Sequence, residues 1–431
     1  MRPGVRVRVR GRSIKLRGLR RAPTGLLRWL AILGPGVIAS VAGDDAGGIG
    51  TNASIGAAYG YDLLWVLLLL TLSLAIVQEM AARLGAATGR GLLDLIRERF
   101  GIGWALLAVS VIVLANGGVL VTEFAGIAAA AELLGVNRAV VVPVSAIGIW
   151  SLVLFGSYSR AERWFLAMTL AFLTYPVAAI LAHPDWGAVA HGALVPTVHF
   201  EPSYLLLLVA MIGTTITPYQ QLFQQSAVVE KGIVPQNYGD ERLDAYVGAV
   251  LGNLIWAFVI IATAATLHTN GIFDIQTASE AAAALRPVAG EGAAALFAIG
   301  LLGASLLAAG VVPVATAYSV TEAFGFRKGV GLDFRRAPVF YGLFTLLIAG
   351  AAAVAMLPGI PLISLLVEVQ VLNGLLLPVV LGFILLLAGD RRVMRRLRNG
   401  PVYSMLGWTT LVVVSAADLV FLWAQFSQQA S

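Results

Sequence analysis

Runs of twenty or so apolar residues recur along almost the whole of this chain, and that leaves few folds open to it. Inside a bilayer every backbone N–H and C=O must find its partner within the protein, so only helices and closed barrels can span. The runs are too long for barrel strands and lack two-residue alternation. The expected fold class is therefore all-α integral membrane. Eleven spans fit the runs, near 28–58, 61–83, 101–133, 138–157, 162–182, 203–230, 243–268, 291–324, 338–358, 361–389 and 403–427.

Charge agrees with this reading. Only 12% of the 431 residues are charged, about half the share of a soluble domain. The first run is too long and too acidic for a cleaved signal peptide. Cysteine is absent, which excludes a disulfide framework, a redox pair and a thiolate metal site. With the N-terminus in the cytoplasm, all but two of the 29 Lys and Arg fall in inner segments, the exceptions being Arg138 and Arg286. A miscounted span would scramble that bias. It predicts an inner-membrane protein with a cytoplasmic N-terminus and an extracytoplasmic C-terminus. The net charge of +6 is then mainly a topology signal. The basic arm at 1–27 precedes a span and carries no nucleic-acid-binding module, so its expected partner is anionic lipid headgroups, not nucleic acid.

Two spans are interrupted. The first carries Gly43-Asp44-Asp45-Ala46-Gly47-Gly48, and the sixth carries Gly213-Thr214-Thr215-Ile216-Thr217-Pro218-Tyr219-Gln220-Gln221. Carboxylates at this depth cost a few kcal/mol each on insertion scales. Glycine loosens a helix, and proline removes a donor and clashes with the preceding turn. The breaks lie five spans apart, and an odd number of spans inverts the second half. This predicts a 5+5 inverted repeat, 28–182 and 203–389, with broken first and sixth helices and span 403–427 outside it. Substrate in such a fold sits at the midplane between the breaks.

The residues around the first break resemble the NRAMP divalent-metal transporters. Gly34-Pro35-Gly36-Val37-Ile38-Ala39-Ser40-Val41-Ala42, then Gly60-Tyr61-Asp62-Leu63-Leu64-Trp65, are similar to that family's first span and the start of its second. The family's Asp-Pro-Gly-Asn falls on Asp45, Ala46, Gly47 and Gly48, and its sixth-span Met-Pro-His on Thr217, Pro218 and Tyr219. Its third-span Asp falls on Glu123, the following relay Glu on Gly126, and its tenth-span Gln on Gln370, eight residues before Pro378. The resemblance runs from Gly34 into the tenth span. It implies a LeuT-type fold and alternating access. It implies a cation site of Asp45, Asp44, the carbonyls of Ala42 and Thr214, Thr217 and Gln370, with Glu123, Gly48, Tyr219, Gln220, Asn373 and Glu368 in supporting or coupling roles.

The departures change the expected chemistry. Where the family has a soft thioether, Thr217 supplies hard oxygen, and an all-oxygen set suits Mg²⁺, Mn²⁺ or Ca²⁺. This resembles the NRAMP-related magnesium transporters. Gly48 and Thr217 are smaller than the residues they replace, which predicts a roomier site that keeps metal-bound water. Asp45 is expected to be the primary ligand. Asp44 either faces the ion beside it or caps the second half-helix. Glu368, two residues from Gln370, cannot share its helix face. Asn373, one turn away, can orient Gln370. Glu79, Glu132, Glu322 and Asp418 read as interfacial or structural. His183, His191, His199 and His268 all fall at outer connections, leaving no imidazole for the site. Gly126 and Tyr219 replace titratable relay groups, so weak or absent proton coupling is expected. A divalent ion gains roughly 4–5 kcal/mol per 100 mV of inside-negative potential.

The expected function is thus a monomeric carrier of Mg²⁺ or Mn²⁺, with no cofactor and no enzymatic activity. A carrier of an amine or amino acid on the same fold is the alternative. It draws on Gly47-Gly48-Ile49-Gly50 as a carboxylate-holding turn and would be favoured by aromatic groups such as Tyr219 and Phe223 converging on the breaks. An intramembrane aspartic protease needs its two aspartates on separate helices, and here they are adjacent. A channel fits poorly with symmetric halves around one midplane site.

Overall fold

The computed structural model describes residues 6–9, 12–15, 43, 45–155, 174–275, 277–283, 290–327, 329, 332–357 and 362–429. In the basic arm, β1 (Arg6–Val9) pairs antiparallel with β2 (Arg12–Lys15), Arg6 opposite Lys15. The alternating Arg-Val-Arg-Val of β1 suits the two-residue period of a strand. This hairpin was not anticipated in a chain read as all-helical. The other regular elements among the described residues are helices.

Helices α1 (Ala46–Tyr59), α2 (Leu64–Thr88), α3 (Leu92–Phe100), α4 (Ile102–Leu133) and α5 (Arg138–Phe155) come first. Then follow α6 (Thr174–Leu181), α7 (Trp186–Leu194), α8 (Pro202–Thr215), α9 (Pro218–Glu230) and α10 (Tyr238–Thr266). The last are α11 (Ala278–Ala283), α12 (Ala293–Phe324), α13 (Pro338–Ala355), α14 (Leu362–Gly389) and α15 (Pro401–Gln429). Among the described residues, nine helical segments are long and apolar enough to cross a membrane, α8 and α9 counting as one. The expected first and fifth spans lie partly outside the described residues, which hold only α1 and α6 of them.

Expected and observed limits differ most at the end of α2 and the start of α10. The helix of the second span runs on to Thr88 and ends on Gly89 at φ 64°, whose N–H closes on the Gly85 carbonyl. A helix stops at its cap, and the lipid boundary does not end it. The third-span helix α4 lies along α12, its counterpart in the second half, and α14 lies along α8. A Cβ on Gly213 would stand 2.0 Å from the Gln370 carbonyl oxygen. Glycine there lets the backbones of α8 and α14 touch, and this brings Gln370 beside the sixth-span break.

Near the C-terminal end of α2, Arg83 is tied to three parts of the chain. Its guanidinium pairs with Glu79 at 3.2 Å, donates to the Leu397 carbonyl at 2.9 Å and to the Asn399 side chain, and lies over the Tyr403 ring. The Tyr238 hydroxyl donates to Glu79 at 2.7 Å. One ion pair thus fastens α2 to the starts of α10 and α15, and Glu79 is structural as expected. Arg83→Met leaves the buried Glu79 carboxylate unpaired. It is expected to cost about 3–5 kcal/mol, visible as a lower unfolding temperature in detergent. Outside the spans, Arg99 beside Asp390 holds that carboxyl below its usual range by hydrogen bonding.

Candidate metal-binding site

The site is built on the start of α1. Asp45 is the N-cap, in extended conformation, and its Oδ1 accepts from the Gly48 N–H at 2.6 Å. A helix start leaves unmatched N–H groups and carries partial positive charge. A second carboxylate, Glu123 of α4, takes the Ala46 N–H at 3.2 Å. Both acids are fully buried. They sit together because each is held by the same first turn. The cap role considered for Asp44 therefore belongs to Asp45. Asp44 and Ala42 lie outside the described residues.

Two further helices reach Asp45. The Tyr219 hydroxyl of α9 donates to Oδ2 at 3.3 Å. The Gln370 amide of α14 donates to Oδ1 at 3.3 Å and Oδ2 at 3.5 Å. Asn373 donates to Gln370 Oε1 at 2.8 Å, which is the orienting contact expected one turn away. At the second break α8 ends at Thr215 and α9 begins at Pro218, with Thr217 extended between them. Pro218 lacks the N–H that the Thr214 carbonyl would meet four residues on, so covalent structure frees that carbonyl. The Thr214 hydroxyl is buried without a partner. Thr217 donates to Gln220 at 3.4 Å. Gln220 in turn lies against Gly43, where a Cβ would stand 2.9 Å from its amide nitrogen.

Two expectations fail here. The site is not roomier at Gly48. A Cβ there would lie 2.4 Å from the indole of Trp256 and 2.7 Å from the Thr214 hydroxyl, so α10 fills the space that the smaller residue vacates. Glu368, placed above among the supporting residues, stands apart from Asp45. It is exposed, and it lines a cavity of about 610 Å³ with Glu201, Asp274 and Ser54. The two-residue offset from Gln370 turns it to another helix face.

Other groups at the site were not legible. Trp256 looks like any aromatic in an apolar span. Ser305 of α12 fills the place beside Gly126, where a Cβ would stand 2.3 Å from its hydroxyl. Asn52, which donates to the Gly48 carbonyl at 2.9 Å, had a signal: a lone amide one turn after the break. Two of the histidines have partners away from the break. His199 pairs with Asp62 at 3.1 Å, and His268 meets the Ala57 carbonyl at 2.8 Å.

Residues 36–424 match the family described as natural resistance-associated macrophage protein-like, Nramp. The chain belongs to the Nramp family. It is 31% identical, over 95% of its own length and 95% of the relative's, to the divalent metal cation transporter MntH of Ralstonia nicotianae. Among solved structures it is similar to the manganese transporter of Eremococcus coleocola, with a TM-score of 0.73, 20% identity and coverage of 92% of this chain and 88% of that one. It is also similar to Mhp1, a nucleobase-cation-symport-1 family transporter, with a TM-score of 0.56, 14% identity and coverage of 91% and 89%. These likenesses establish the LeuT-type fold. As an Nramp member the chain is a multi-pass membrane transporter and not an enzyme. In this Nramp chain the Tyr219 phenol of α9 reaches the Asp45 carboxylate at the start of α1.

Proposed function

We propose that this Nramp chain carries a hard divalent cation, Mg²⁺ or Mn²⁺, by alternating access, with Asp45 as principal ligand. The observation that carries the reading is the buried Asp45 carboxylate at a half-helix start, met by a phenol and a carboxamide. A cation of charge two in a low-dielectric site needs nearby negative charge, and Asp45 with Glu123 supplies two such charges. Thr214 and Thr217 add hard oxygens, as Mg²⁺ and Mn²⁺ prefer. Gln370 turns its nitrogen to Asp45. Asn373 Oδ1 is without a partner, so turning both amides over would give Gln370 Oε1 to the cation and its nitrogen to Asn373. The names of the relatives, divalent metal cation transporter and manganese transporter, agree with Mn²⁺.

The organic-substrate reading stays as the second one. Trp256 fills the space at Gly48, and Tyr219 is engaged with Asp45. Aromatic groups thus meet at the break, the feature that favours an organic substrate, while the buried acid pair and the hard oxygens favour a cation. Titration calorimetry with Mg²⁺, Mn²⁺, Ca²⁺ and an alkylamine tests the choice. Heat from Mg²⁺ or Mn²⁺ and none from the amine is expected; the reverse would move the assignment to the organic substrate.

Weak or absent proton coupling belongs to the same proposal. Gly126 and Tyr219 stand where titratable relay groups are expected, and Ser305 and the Ala46 methyl crowd Gly126. Liposomes with a pH dye inside should show Mn²⁺ or Mg²⁺ uptake that follows an inside-negative potential without acidification. Proton uptake in a fixed ratio to the metal would reject this part. The proposed setting is the plasma membrane, with the N-terminus in the cytoplasm and a monomeric carrier.

A further inference from the structure

Helix α9 carries amides on one face from the site to its far end. Gln220, Gln221, Gln224 and Gln225 follow Thr217 at helical spacing and, at 100° per residue, fall within an arc of about 140°. All four are buried. Helix-to-helix glue in a membrane would have its polar atoms paired across the interface, and here many are not. Gln221 has neither amide atom partnered, and the amide oxygens of Gln224 and Gln225 are also without partners. Gln224 uses only its nitrogen, on Glu241 at 2.8 Å, and Gln225 only its nitrogen, on the Arg90 carbonyl at 2.9 Å. Buried and unpaired, such atoms carry a desolvation cost unless water or a cation meets them in some state.

The ladder begins and ends at informative places. Its top is Thr217, at the break beside Asp45. Thirteen residues further along, a helix rise of about 20 Å, Glu230 accepts from the Tyr318 hydroxyl of α12 at 2.5 Å. That bond joins α9 to a helix of the neighbouring layer at the end where Lys231 and Arg242 mark the expected cytoplasmic side. Neutral amide oxygens suit a hydrated cation in transit. They replace part of its water shell without holding it as a carboxylate would. None of them titrates, in keeping with transport that carries no protons.

We propose that the glutamine face of α9 is the wall of the inner release path, along which the cation leaves Asp45 partly hydrated, and that the Tyr318–Glu230 hydrogen bond closes that path. The inference rests on the transport reading above, and its test is chosen to stand without any cation.

The chain has no native cysteine, so single-cysteine variants need no altered background. Gln221→Cys and Gln225→Cys are compared with Leu222→Cys and Ser226→Cys, which lie off the amide face, after each is shown to be monodisperse. A charged, membrane-impermeant thiol reagent is applied from either side of vesicles. Gln221→Cys and Gln225→Cys should react from the cytoplasmic side at least about tenfold faster than the two controls. Adding Tyr318→Phe should raise those rates severalfold and leave the controls unchanged. Equal rates on and off the face overturn the path, and unchanged rates with Tyr318→Phe overturn the closure. If Gln221→Cys does not fold, Gln225→Cys carries the comparison. Gln221→Leu should slow Mn²⁺ transport about tenfold while calorimetric binding stays within about twofold. Binding that falls in parallel with transport would instead put Gln221 in the cation site. Absence of any divalent binding by the unaltered chain would remove the metal reading and leave the labelling pattern to be judged alone.

Discussion

Asp45→Asn is expected to abolish divalent-cation transport and to weaken Mn²⁺ or Mg²⁺ binding by at least about 100-fold, roughly 2.7 kcal/mol. The substitution isolates charge from structure. Asparagine is as good an N-cap as aspartate, so the Gly48 N–H keeps its acceptor and α1 keeps its start. The amide is nearly the same size, and Tyr219 and Gln370 keep a neighbour. What is lost is one of the two buried charges opposite the cation. The hydrogen bonds to Asp45 weaken, but the desolvation of a buried charge beside the second buried acid, Glu123, is relieved, so the unfolding temperature of the protein without cation should hold or rise. Asp45→Ala makes a useful contrast, because it also removes the cap and should cost about 1 kcal/mol of stability. Calorimetry and thermal unfolding on the three proteins separate the effects. Undiminished binding in Asp45→Asn would exclude Asp45 as principal ligand and leave Asp44 as the candidate.

Gly48→Asn, which introduces the residue expected there from the family resemblance, is expected to harm the protein. The added Cβ would stand 2.4 Å from Trp256 and 2.7 Å from the Thr214 hydroxyl. Neither an indole packed at 1% exposure nor a helix end at the break has room to retreat. Overpacking of this kind costs about 1–3 kcal/mol or more, and it would push the first turn of α1 away from Gln370 and Thr214. A lower unfolding temperature and weaker cation binding should appear together. Trp256→Ala alone leaves a cavity, at about 3–5 kcal/mol. Combined with Gly48→Asn, the asparagine occupies that cavity, so the double variant should be more stable than the sum of the two losses by about 0.5–3 kcal/mol. Strict additivity, or a harmless Gly48→Asn, would show that Trp256 does not fill the space beside the break.

Both results turn on contacts of differing legibility. Asp45 is visible in the chain because a carboxylate in an apolar run is costly and so stands out. Thr217 and Gln370 are visible through the family pattern. Trp256 is not, because an aromatic residue in a membrane span needs no explanation, and only the approach of α10 to α1 makes it part of the site. The roomy pocket expected from Gly48 failed for that reason: a small side chain leaves space only if no neighbour moves in. Glu368 failed through the helix period, since two residues of offset turn it from the break to the cavity it shares with Glu201 and Asp274. Asp45 is the residue that meets the Gly48 N–H, and Asp44 lies outside the described residues.

The sequence by itself determined the environment, the helical class, the two interruptions and the inversion of the halves. Each follows from local physics: the absence of water in a bilayer, the positive-inside bias, and the backbone chemistry of glycine and proline. Tertiary structure alone decided what surrounds the Asp45 carboxylate and what faces the glutamines of α9. Those depend on which surfaces of distant helices meet, and in a membrane, where lipid is as apolar as leucine, that choice rests on close packing and on polar partners brought together from far along the chain.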